Sequence, residues 1–156
     1  MPDTINKTVD TSSRELSAER ILNAPRQLVW QVWTEPNHIA KWWGPNGFTN
    51  TIESMDVRAG GQWKFIMHGP DGTDYRNLIT YIEIKEPELI VYEHSPSPKF
   101  TVTVNFEEIE GKTKITMKSL FETAEVLENI IKTFKADEGM KQNLIKLMDY
   151  LREITS

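Results

Sequence analysis

The chain has 156 residues, 38% of them hydrophobic and 26% charged, with a formal net charge of −5 and no cysteine. That length suits one domain with a sizeable core, and the composition is that of a globular protein. The acidic balance argues against a nucleic-acid partner, which calls for dense Lys and Arg; the missing cysteine excludes disulfides, thiolate metal sites and a Cys nucleophile.

Met1–Ser13 is polar, without the apolar stretch of a secretory signal, and is expected to be a flexible leader to a single domain over 14–156. No run approaches the roughly 20 apolar residues of a membrane span. A cytoplasmic protein is therefore expected, in which Asn6-Lys7-Thr8 carries no meaning as a glycosylation acceptor.

A first strand is predicted over Glu15–Leu22. Ala24-Pro25 then opens a helix, since proline suits the first helical turn, and Leu28, Val29, Val32 and Trp33 recur at helical spacing. Glu35-Pro36 breaks it and starts a second short helix through Ile39 and Trp43, ended by Gly44-Pro45-Asn46-Gly47. Six more strands follow: Thr49–Val57, Gln62–His68, Tyr75–Ile84, Leu89–His94, Phe100–Glu108 and Lys114–Leu120. Short turns such as Gly69-Pro70-Asp71-Gly72, Glu86-Pro87-Glu88, Ser95-Pro96-Ser97-Pro98 and Glu110-Gly111 join them, so neighbours pair as antiparallel hairpins. After Thr123 the period is helical again. Met140, Leu144, Leu147, Met148 and Leu151 form one apolar face, with Lys141, Lys146, Asp149 and Arg152 opposite. The order is that of an α+β domain, a curved antiparallel sheet of about seven strands wrapped around a long C-terminal helix, with two short helices after the first strand.

The alternation within the strands is heavy in aromatics. Trp63, Phe65 and Met67 share a face; Tyr75, Asn77, Ile79 and Tyr81 form a second set, Phe100, Val102, Val104 and Phe106 a third, and Ile115 and Met117 a fourth. One helix is about 10 Å wide, whereas seven strands at roughly 4.8 Å spacing span about 30 Å before curling. The excess apolar surface leaves room for a pocket, walled by Trp63, Phe65, Met67, Tyr75, Asn77, Ile79, Tyr81, Phe106 and Met117 of those sets with Trp33, Trp43, Tyr92, His94, Met140, Leu144 and Met148. Any single aromatic is more often plain core than cavity wall.

No catalytic constellation is visible. His38, His68 and His94 fit no metal-ligand pattern, and His94 and Glu93, adjacent on a strand, face opposite sides. Gly111-Lys112-Thr113 sits between two strands and has Phe106 where a phosphate loop needs its first glycine. Gly60-Gly61 lacks the third glycine of a dinucleotide site, and no GxSxG occurs. Glu107-Glu108 is solvated charge. Trp42-Trp43 is the sharpest local feature: the two rings point different ways, one plugging the core and the other near the surface or a cavity rim. No cofactor or metal is implied.

Ala24-Pro25-Arg26, Val29-Trp30, Thr34-Glu35-Pro36, Lys41-Trp42-Trp43-Gly44-Pro45, Asp56-Val57-Arg58-Ala59-Gly60-Gly61, Met67-His68-Gly69-Pro70-Asp71-Gly72 and Glu83-Ile84-Lys85-Glu86-Pro87-Glu88-Leu89-Ile90-Val91-Tyr92 occur in that order. The ordered set, from about Ala18 to Leu151, resembles bacterial proteins related to the C-terminal domain of the activator of the ninety-kilodalton heat-shock protein ATPase. The resemblance implies the START-like helix-grip fold, shared with plant pollen-allergen proteins, lipid-transfer domains and polyketide cyclases. Gly139-Met140 departs from the Gly-Trp often found there, which implies a different space beneath the last helix. Three functions are expected to compete: binding of a small apolar or amphipathic ligand, a stress-response interaction with a chaperone, and a cyclase- or aromatase-like reaction. A monomer or weak homodimer is expected.

Overall fold

The computed structural model describes residues 11–95 and 98–156. Most of the expected leader, residues 1–10, and the tip of the Ser95–Pro98 turn, residues 96 and 97, lie outside the described residues; Ser12–Arg14 forms a single 3-10 turn. The elements are β1 (Glu15–Leu22), α1 (Arg26–Thr34), α2 (Pro36–Ile39), β2 (Thr49–Met55), β3 (Gln62–His68), β4 (Asp74–Lys85), β5 (Leu89–Ser95), β6 (Phe100–Ile109), β7 (Lys112–Phe121), α3 (Ala124–Phe134) and α4 (Ala136–Thr155).

All seven strands form one antiparallel sheet in the order β1-β7-β6-β5-β4-β3-β2. Six consecutive strands pair as the meander that short turns dictate. The exception is β1, which lies against β7 with Glu15 opposite Leu120 and Leu22 opposite Thr113. The β1–β2 connection therefore crosses from one sheet edge to the other, and it carries α1 and α2. Register breaks at Ile52/Ser54 and Tyr81/Glu83 mark irregularities in β2 and β4, of the kind that lets a sheet curl.

Side chains at alternate positions give the concave face. Trp63 and Phe65 of β3, Ile79 and Tyr81 of β4, Ile90 and Tyr92 of β5, Val102, Val104 and Phe106 of β6, and Ile115 and Met117 of β7 are all buried. Leu144, Leu147 and Leu151 of α4 pack into the same cluster, at the spacing of one helix face.

The C-terminal segment is two helices. Thr123 caps α3, its hydroxyl accepting from the Val126 amide at 3.1 Å. Lys135, with φ 51°, then turns the chain into α4. Neither Gly nor Pro marks that break. Its sequence signal is weaker: Asp137 and Glu138 fall in the first turn of the new helix, where acids favour an N-terminus.

Candidate functional site

A hollow of about 270 Å³ lies between the concave face and the α3–α4 roof. Phe65, Ile79, Tyr92, Val102, Met117 and Ser119 form the sheet side. Ile130 and Phe134 of α3 and Ala136, Gly139, Met140 and Asn143 of α4 form the roof; Trp43, Gly44 and Pro45 close one flank. Toward solvent it joins a wider antechamber of about 450 Å³ between Phe48, Tyr75, Pro98, Phe134, Glu138 and Gln142. Met67, Asn77, His94 and Phe100 border both spaces and mark the threshold.

The Trp43–Phe48 flank is fixed by α4. Asn143 Oδ1 accepts from the Gly44 amide at 3.0 Å, Gln142 Oε1 from the Asn46 amide at 3.1 Å, and Lys146 Nζ donates to Pro45 O at 3.1 Å. Burial lowers the pKa of Lys146. Gly44 has φ 100°, a backbone that favours glycine, and a Cβ there would press on the Met67 methyl at 2.9 Å, so that this flexible side chain would have to yield.

His94 is the titratable group of the threshold. Its ring stacks on Phe100 at 4.5 Å between centroids. Nδ1 lies 3.2 Å from Pro98 O and Nε2 lies 2.5 Å from Asn77 Oδ1. Both neighbours are acceptors, and a neutral imidazole can donate to only one. Burial nevertheless lowers its pKa, opposed by the Pro98 carbonyl. Deeper in, Tyr92 stands opposite Tyr81 across β4–β5, and burial pushes both phenols well above their ordinary range.

Of the residues expected to form a pocket, Trp43, Phe65, Met67, Asn77, Ile79, Tyr92, His94, Met117 and Met140 line the hollow, and Tyr75 lines the antechamber. Trp33, Trp63, Tyr81, Phe106 and Leu144 pack in the solid core and do not line it. Met148 borders a small cleft with Leu22, Asn23 and Arg152. Trp42 and Trp43 are both buried: Trp42 enters the core, its indole donating to Val32 O at 3.1 Å, and Trp43 faces the hollow. Sequence reasoning missed Ile130 and Phe134, because it did not separate α3 from α4. The apolar spacing Val126, Leu127, Ile130, Ile131 and Phe134 is the signal that could have found them.

One acid–base chain appears outside the hollow. Thr51 Oγ1 lies 2.7 Å from His68 Nε2, and His68 Nδ1 lies 2.7 Å from Asp74 Oδ1. The order is that of a nucleophile, a base and an orienting acid, but it spans β2, β3 and β4 among exposed side chains and borders neither the hollow nor the antechamber. A reaction needs a shielded position for the substrate beside the nucleophile. The three side chains serve as a cross-strand tie. Among the described residues no group of three or more His, Cys, Asp or Glu is placed to hold a metal ion, and no helix is long and apolar enough to cross a membrane.

The chain is similar to several solved bacterial proteins. One from Arthrobacter aurescens is 26% identical, with a TM-score of 0.85 over 94% of this chain and 90% of that one. One from Nitrosomonas europaea is 20% identical, with a TM-score of 0.82 over 94% and 99%. An AHSA1-like protein from Aeromonas hydrophila is 19% identical, with a TM-score of 0.74 over 90% and 94%. The last two likenesses show the fold alone. No curated protein matches the chain. Residues 23–152 match the family described as Activator of Hsp90 ATPase homolog 1-like protein. With its seven-stranded curved sheet and long C-terminal helix, the chain belongs to that family and has the START-like fold that its sequence implied.

Proposed function

We propose that the hollow binds a small apolar or amphipathic molecule, making this a cytoplasmic ligand-binding protein, monomeric or weakly dimeric. The observation that carries the reading is the hollow itself: about 270 Å³ lined almost wholly by apolar side chains, with a wider antechamber as its entrance. Pockets that hold small molecules have this make-up, a greasy wall with few polar groups. Tyr92, His94 and Asn77, the groups an aromatase-like reaction would draw on, act in this reading as contacts. The cysteine-free sequence supports a reducing compartment.

Trp43 supplies the test, because its ring is part of the wall. Titration with fatty alcohols and neutral aromatic compounds is expected to change tryptophan fluorescence saturably, and native mass spectrometry to show a one-to-one complex. Trp43→Phe should remove most of the optical change while the complex still appears in the mass spectrum. Absence of saturable binding across the panel would sink the proposal. A second reading, stimulation of a chaperone ATPase, is favoured by the family match. It requires that the purified protein raise the ATPase rate of bacterial Hsp90; an unchanged rate would remove it.

A further inference from the structure

Away from Asn77 and His94 at the threshold, the hollow is apolar except at three places. Tyr92 is 4% exposed, Ser119 4% and Asn143 7%, and all three border the hollow but not the antechamber. The Tyr92 and Ser119 hydroxyls have no hydrogen-bond partner among the described residues, and the Asn143 amide uses only its oxygen, on Gly44. Buried hydroxyls and amides are normally paired, since a lone one costs the desolvation that a bond would recover. Asn50 Oδ1 and Trp63 Nε1, fully buried elsewhere, also lack a partner among the described residues; the groups of Tyr92, Ser119 and Asn143 are the ones that share the hollow.

Their placement is set by the sheet. Tyr92 of β5 and Ser119 of β7 both stand opposite Val102 of β6, so they occupy one transverse row two strands apart, roughly 10 Å at the backbone. Asn143 faces that space from the roof. No Lys, Arg, Asp or Glu lines the hollow. A carboxylate or phosphate carried inward would lose its water without meeting a fixed countercharge, which is prohibitive. A hydroxyl or carbonyl would meet two hydroxyls that can donate or accept and one amide that donates.

We infer that the inner hollow selects a neutral amphipathic molecule that enters with a hydroxyl or carbonyl leading, held by Tyr92, Ser119 and Asn143, with its apolar body against Phe65, Ile79 and Phe100. This rests on the cavity-binding reading above and deepens it. The polar end lies inside and the greasy body fills the middle. Ligand groups that reach the threshold meet His94 and Asn77.

Calorimetric titration with naphthol, naphthoate and methylnaphthalene, matched in ring and position, tests the inference. Naphthol is expected to bind most tightly. Tyr92→Phe and Ser119→Ala should each weaken naphthol by about five-fold, the worth of one net hydrogen bond, and leave methylnaphthalene unchanged. Both variants remove an unpaired polar atom, so thermal melting of the ligand-free protein should hold or rise. If methylnaphthalene binds as well as naphthol and neither variant changes either affinity, the polar-end assignment is wrong while the cavity reading stands. Tightest binding by naphthoate also overturns the assignment. If none of the three binds, both readings fail.

Discussion

The two ends of the concave face carry similar side chains and are closed in opposite ways. At one end α1, α2 and the segment after them insert Trp30, Trp33 and Trp42 between the strands. Trp33 meets Trp42 at 4.8 Å and Phe106 at 5.4 Å, and Trp30 meets Phe106 at 5.1 Å. That end is solid. At the other, α3 and α4 reach over Ile79, Tyr92 and Val102 without filling the space beneath. The contrast teaches that covering an apolar surface differs from packing against it. Large rings on short helices reach into the curl, whereas a roof bearing Gly139, Met140 and Asn143 stops short of it.

Mutations at the two ends should separate them. Trp33→Ala, at the centre of the ring cluster, should cost about 3–5 kcal/mol, read by chemical denaturation, and leave little folded protein at high temperature. A loss near 1 kcal/mol would mean that the solid end is loosely packed. Added bulk sharpens the contrast. Val32→Phe in the packed end should cost about 1–3 kcal/mol, while Val102→Phe should leave stability unchanged or slightly raised and abolish probe binding. Equal losses from both would erase the distinction. Asn143→Ala strips the Gly44 amide of its acceptor and should cost about 1–2 kcal/mol, with Trp43 fluorescence shifting to the red as its flank loosens.

The smallest expected effect is on pH dependence. The pKa of His94 is lowered in the folded protein by burial, so the unfolded chain binds a proton first as pH falls through the ordinary histidine value near 6.5. Stability from this group is complete above that value and declines below it, down to the folded pKa. The His94→Asn variant should show a flatter melting-temperature profile on the acid side than the parent chain. Parallel profiles would show that His94 titrates as it does in the unfolded chain.

Much of this architecture was legible in the sequence. The β3 boundaries, Gln62–His68, follow directly from its alternation of large apolar and polar residues, and the meander follows from short turns rich in Gly and Pro. The α3–α4 corner was not legible, because Lys135 adopts a left-handed backbone with no glycine to announce it. The wall was partly legible. Phe65, Ile79 and Tyr92 follow from strand parity, but parity cannot say which end of a curved face is filled. Trp63 and Phe65 share a face and stack at 4.0 Å, yet only Phe65 lines the hollow. Trp63 lies on the filled side, where its ring meets Trp43 at 5.3 Å, a contact between distant segments that no local pattern encodes. Leu16, Phe121 and Asn143 reach the wall through pairings distant in sequence, and the Thr51–His68–Asp74 tie depends on registers that residue spacing does not reveal.

The β1–β7 pairing bears on how the molecule comes into being. Because β1 finds its partner only in the last strand, it emerges from the ribosome with its edges bare and waits through most of synthesis. The meander can zip from β2 onward by local hairpins, whereas capture of β1 is a long-range event of the kind that slows folding. α3 and α4 follow β7 in the chain, so the roof arrives last. Until α3 and α4 are made, the concave face lacks both its roof and the Leu144, Leu147 and Leu151 side chains that complete its core.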